Sequence, residues 1–186
     1  MKRTICCILF FVLLSGCSKT DIYIDKALSL RKNLNTCSNF TFVCHITADY
    51  GNEIHNFSAN CSIDSNGDMT FAVLSPETIK GISGKIQSGK GKITFDDAVL
   101  AFPILAEGEL SPVSGPWLMC KSLLSGYISS CCEENGQIRV TLNDSYEEDA
   151  LTVDVQLNEH NVPAYAEIIW QGRRILSLNV ENFQIQ

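Results

Sequence analysis

Basic charge is scarce in this chain: 14 Lys and Arg stand against 21 Asp and Glu, a formal net charge of −7. Nucleic-acid affinity rests on cations that neutralise phosphates, so that class of partner is excluded, as is docking on anionic lipid through a basic patch. No apolar run reaches the ~20 residues needed to cross a bilayer. Histidine occurs three times and C-x-x-C not at all, so the spacing of a zinc site is missing and no metal is expected. The sequence also lacks a G-x-S-x-G elbow, an H-E-x-x-H pair and a phosphate loop followed by a helix. His45 lies on the polar side of a strand pattern, His55 beside a turn and His160 in a loop, so all three read as solvated surface. Asp96-Asp97 and Glu147-Glu148-Asp149 read as solvated turns, and "GKIQSGKG" (Gly84 to Gly91) as a hairpin with Lys90 at its tip. No catalytic residue and no cofactor emerges, and the chain is not expected to be an enzyme.

What is present begins at the N-terminus. Lys2 and Arg3 precede an apolar segment from Ile5 to Leu14, the charged region and short greasy region of a secretion signal. Leu14-Ser15-Gly16-Cys17 matches the bacterial lipobox, which implies a diacylglyceryl group on the Cys17 thiol and cleavage ahead of that residue. Two acyl chains, at ~0.8 kcal/mol per buried methylene, anchor stably where one would be marginal. Residues 1–16 are thus read as a lipoprotein signal peptide, 17–20 as a lipidated tether and 21–186 as one domain. The expected location is the extracytoplasmic face of a bacterial cell membrane. Losing Lys2 and Arg3 leaves 12 basic residues against 21 acidic, a net charge of −9. Of nine cysteines, Cys6 and Cys7 leave with the signal and Cys17 carries lipid, so Cys37, Cys44, Cys61, Cys120, Cys131 and Cys132 remain. Cys44 and Cys61 fall on one face of a hairpin within disulfide reach, yet both sit in apolar strand faces and are expected as reduced, buried thiols.

Two periodicities divide the rest. From Asp21 to Leu34 a helix is expected, with Ile24, Ala27, Leu28, Arg31 and Leu34 on one stripe that is apolar apart from Arg31. From Asn39 the period becomes two: Phe40, Phe42, Cys44 and Ile46 form one alternating set and Phe57, Ala59, Cys61 and Ile63 the next. An even-length loop around Asp49 to Glu53 joins them, and a three-residue Ser65-Asn66-Gly67 turn sets Ile63 against Met69 and Cys61 against Phe71. Three-residue turns are also expected at Glu134-Asn135-Gly136, aligning Ile128 and Cys132 with Leu142 and Ile138, and at Gln171-Gly172-Arg173, aligning Ile168, Ala166 and Ala164 with Leu176, Leu178 and Val180. Further strands are expected over 82–87, 92–95, 150–157 and 162–170, and one internal helix between Ser111 and Tyr127. The fold class is mainly β with α: a curved antiparallel sheet or incomplete barrel of about ten strands, an N-terminal helix and one internal helical plug.

An N-terminal helix feeding a long meander interrupted midway by helix resembles the lipoprotein-carrier fold of the LolA, LolB and LppX families. The stretches that carry the resemblance are "MTFAVLSPETIKGISGKI" (Met69 to Ile86) and "NVPAYAEIIWQGRRILSLNVENF" (Asn161 to Phe183). Among Gram-positive lipoproteins the chain is also similar to the clostridial germination lipoprotein GerS. The carrier resemblance implies an apolar concave face that holds or carries an acyl-bearing ligand, a lipid or lipoprotein. The GerS resemblance implies the alternative, an anchored adaptor or regulator of an envelope protein such as a spore-cortex amidase, with a homodimer as a further partner. The candidate binding face consists of Phe40, Phe42, Phe57, Phe71 and Val73 on strands, with Trp117, Cys120, Leu123 and Leu124 of the internal helix facing them.

Overall fold

Alternation of apolar and polar side chains builds a single large sheet, because each strand turns one residue set inward and the other outward. The computed structural model describes residues 18–88, 90–95, 98–103, 105–106, 109–145 and 150–186. The lipobox with Cys17, and the acidic runs at 96–97 and 147–149, lie outside them. In chain order the elements are helix α1 (Ser18–Thr36) and strands β1 (Asn39–Asp49), β2 (Ile54–Asp64), β3 (Met69–Ser75), β4 (Ser83–Gln87), β5 (Lys90–Phe95) and β6 (Ala98–Pro103). A small pair follows, β7 (Leu105–Ala106) and β8 (Glu109–Leu110), then a 3-10 turn (Pro112–Ser114) and helix α2 (Gly115–Ser125). The chain closes with β9 (Tyr127–Glu134), β10 (Gln137–Asn143), β11 (Thr152–Leu157), β12 (Pro163–Trp170) and β13 (Arg173–Ile185).

Eleven strands form one antiparallel sheet in the order β6-β5-β4-β3-β2-β1-β13-β12-β11-β10-β9, with β7-β8 apart. The sheet is open, β6 and β9 being its two edges. Helix α2 touches β2 in one half and β10 to β13 in the other, so the sheet curls round it. This is the expected half-barrel around a plug. Helix α2 is buried on nearly every side, only Lys121 and Ser125 being exposed, as a helix apolar all round must be.

The expected register holds through the first hairpins. Asp49 pairs with Ile54 across a four-residue loop, and Ile63, Cys61 and Ala59 pair with Met69, Phe71 and Val73. Cys44 opposes Ala59 while Cys61 opposes Phe42, so the two thiols sit one pair off, and both are free. The ring of Phe71 lies over Gly84, where an added Cβ would sit 2.4 Å from the Lys92 carbonyl oxygen and 2.5 Å from the ring; only glycine fits.

The two later turns differ from expectation. Glu134 pairs with Gln137 and Trp170 with Arg173, so each loop has two residues, Asn135-Gly136 (φ +52° and +81°) and Gln171-Gly172 (φ +51° and +74°). Two positive φ values give the turn whose twist matches a hairpin, and a bulge further along each hairpin restores the apolar pairing. Ile128 therefore still meets Leu142, and Ile168 and Ala166 still meet Leu176 and Leu178. Cys132, however, pairs with Arg139 rather than Ile138 and is exposed, while Cys131 turns inward.

Helix α1 starts at Ser18, so residues 18–20, read as tether, are helical. Its buried side is Ala27, Leu30 and Leu34; Leu28, expected on that stripe, is 45% exposed. Among the described residues no helix is long and apolar enough to cross a membrane.

Candidate functional site

The inward strand residues of the candidate face belong to one continuous core. Phe40 and Phe42 are 1% exposed, Val73 4%, Phe71 5% and Phe57 9%, and the helix residues Trp117, Cys120 and Leu123 are buried with them. Phe40 and Phe42 stack with Phe183, at ring centroids 5.5 and 5.4 Å away. The sequence set for this face omitted Phe183, because the β13 alternation breaks near Asn182, whose φ is +54°.

Two grooves open at the margins of this core. The first, about 390 Å³, runs between Leu34 of α1, Trp117, Lys121 and Leu124 of α2, and the β2–β3 turn. It brings together two residues of the candidate face, Trp117 and the half-buried Leu124. The Trp117 indole N–H donates to the Gly67 carbonyl at 3.1 Å, and the Lys121 ammonium lies 5.2 Å above the same ring. Cation–π attraction and the hydrogen bond both hold the ring, which suits a structural plug better than a lid. The second groove, about 790 Å³, lies between α1 and edge strand β9 and is lined by Ile24, Leu28, Arg31, Tyr127, Ile128 and Asp144. Its exposed Leu28 and Tyr127 escaped sequence reasoning, since helical spacing placed Leu28 in the core and Tyr127 ended the helix pattern.

Arg31 explains its place in an otherwise apolar stripe. Its guanidinium donates to the carbonyls of Leu123 (2.7 Å) and Gly126 (2.7 Å) at the end of α2, where intrahelical donors run out, and at 3.3 Å to that of Ser122, which also accepts from the Gly126 N–H at 2.7 Å. Asn35 adds a bond to the Leu124 carbonyl at 3.2 Å. Helix α1 thereby caps the end of α2.

The three histidines lie on the outer side of the fold. Half-buried His45 bonds Ser58 at 2.7 Å and approaches Glu181 at 3.5 Å, while His55 approaches Glu53 and His160 approaches Glu159 at exposed positions. Among the described residues no three His, Cys, Asp or Glu side chains converge as a metal site requires. The buried thiols of Cys44 and Cys120 are pushed well above the usual thiol range by desolvation, and that of Cys61 up to about 12, so none offers a thiolate at neutral pH.

No family model and no curated protein matches the chain. Solved structures resemble it in fold. A DUF1329 family protein from Desulfovibrio piger is 8% identical, the match covering 90% of this chain and 93% of that one at a TM-score of 0.51. A LolA superfamily protein from Nitrosomonas europaea is 9% identical over 86% and 93% of the two chains, at a TM-score of 0.47. A structure of the CwlD amidase from Clostridioides difficile in complex with the GerS lipoprotein gives 14% identity over 92% and 98%, at a TM-score of 0.43. With an open antiparallel sheet curled round an internal helix, an N-terminal helix across its margin and a solved counterpart over nine-tenths of its length, the chain shares the fold of that DUF1329 family protein.

Proposed function

We propose that this chain is a non-enzymatic lipoprotein, anchored through Cys17 to the extracytoplasmic face of a bacterial cell membrane, that serves as an adaptor for an envelope protein. The observation that carries the choice of adaptor over carrier is the packing of the concave face. A carrier keeps a dry cavity for acyl chains, whereas here Phe40, Phe42, Phe57, Phe71 and Val73 are covered by the protein's own helices and by Phe183. A second reading, an acyl-bearing ligand held at the surface, is favoured by the apolar Ile24, Leu28 and Ile128 in the groove beside α1.

Anchoring is tested at its one chemical requirement. Cys17→Ala is expected to leave the chain unlabelled by radiolabelled fatty acid in growing cells and unprocessed at this site; continued labelling would refute the anchor.

Carrier and adaptor separate by fluorescence. With Trp170→Phe, Trp117 becomes the only tryptophan, at the contact between plug and sheet. Adding a fatty acid or a lipopeptide is expected to leave its emission unchanged, because a packed plug is not displaced. A saturable shift would mean that the concave face opens to lipid, and the adaptor reading would be lost.

A further inference from the structure

On the outer face of the sheet, where alternation predicts solvated side chains, Asp154 of β11 is only 6% exposed. Its Oδ2 accepts from Arg139 of β10, whose other nitrogen bonds Glu134 at 3.0 Å. Its Oδ1 is shut from solvent and has no hydrogen-bond partner among the described residues. Directly opposite across the ladder stands a second carboxylate, Glu167 of β12, which accepts from the Tyr165 hydroxyl and from Arg174, both at 2.8 Å. Apart from Arg174 these groups, with Gln156, line a cleft of about 170 Å³. At ~30 Å³ per water that is the room of five or six waters, enough for the head of one side chain and too little for a whole ligand.

A buried acceptor without a donor costs ~1–3 kcal/mol, and like charges directly opposed across strands add to that. Three carboxylates line the cleft against one guanidinium, with Arg174 outside them on Glu167, so the local balance still favours a further cation. The carboxylates do not converge on a point as metal ligands do. We propose that this cleft receives a basic side chain, a lysine ammonium or arginine guanidinium, from the envelope protein that the adaptor binds; the inference rests on the partner-binding reading and names one contact of it. A cation in the cleft would offset the carboxylate excess around Asp154, and a charge-assisted bond to the lining carboxylates gives the partner's register on an otherwise polar face.

The probes are N-acetyl-lysine methylamide and N-acetyl-arginine methylamide, titrated into the 15N-labelled lipidated chain in detergent micelles. Saturable shifts are expected at the amides of Arg139, Asp154 and Glu167. Asp154→Asn should abolish them, and Gln156→Glu, which adds a carboxylate to the cleft lining, should tighten binding several-fold. The inference is overturned if these amides do not move, if N-acetyl-glutamate methylamide moves them equally, or if Asp154→Asn and Gln156→Glu both leave the titration unchanged. A cleft that binds the amines in a chain to which no envelope protein attaches would retain the site and remove the adaptor reading.

Discussion

Between pH 9 and about 11 the domain is expected to lose most of its stability in one cooperative transition, because of three thiols in its core. Cys44 on β1, Cys61 on β2 and Cys120 on α2 are each no more than 1% exposed, and burial holds all three protonated far past the usual thiol range, Cys61 up to about 12. The sign follows from proton counts. Below about pH 8.5 both states keep the protons and the thiols act as small apolar groups. Above it the unfolded chain releases three protons that the folded chain retains, so folding becomes less favourable until the native thiols themselves ionise. Each retained proton costs about 1.4 kcal/mol per pH unit, or about 4 kcal/mol per unit for the three together. A domain held by some 5–15 kcal/mol cannot withstand more than a few units of that. Urea midpoints measured at half-unit steps from pH 8 to 11, under reducing conditions, are expected to fall steeply, and Cys120→Ala should reduce the slope by about a third. A slope of zero would mean that these thiols reach water.

The hairpins that could be read from sequence are those where one alternation runs unbroken through the turn. Asp49 to Ile54 and Ile63 to Met69 needed only the pairing of apolar faces to fix loop length. Where the chain inserts a bulge, as between Ile168 and Ile169, the same pairing is compatible with a shorter loop, and counting apolar residues cannot distinguish the two. Strand β6 was absent from the expectation because "AVLAFP" is a continuous apolar run with no period to read. Asp154 was hidden for a different reason. Its position in β11 is a polar one by alternation, and what buries it is the reach of Arg139 and the β12 side chains from neighbouring strands, which no local pattern records. The candidate face was legible as core. Whether that core was filled from within depended on Phe183 and on helix α2, elements far apart in the chain.

Replacing Arg31 is expected to loosen the plug by about 2–4 kcal/mol. The estimate rests on three hydrogen bonds from one charged group, each worth ~1.5–3 kcal/mol when acceptors are partly buried, less the cost of withdrawing the guanidinium from water. The informative substitution is Arg31→Met, because it completes the apolar stripe that the sequence pattern favours. On that pattern alone it should stabilise. On the structure it should destabilise, since the carbonyls of Leu123 and Gly126 lose their guanidinium donor, and Ser122 its second one, at the end of a helix that is otherwise enclosed. Arg31→Lys should fall between, as one ammonium lacks the planar fork that reaches three acceptors. Because the acceptors are neutral carbonyls rather than carboxylates, the difference between Arg31 and Met should persist at 1 M salt, where an exposed ion pair would be screened. The measurement is the urea midpoint of each variant at low and high salt. Unchanged or raised stability in Arg31→Met would sink the capping account and return the residue to a solvent-facing role. A loss that survives salt would instead tie α1, the helix that directly follows the proposed lipid anchor, mechanically to the plug.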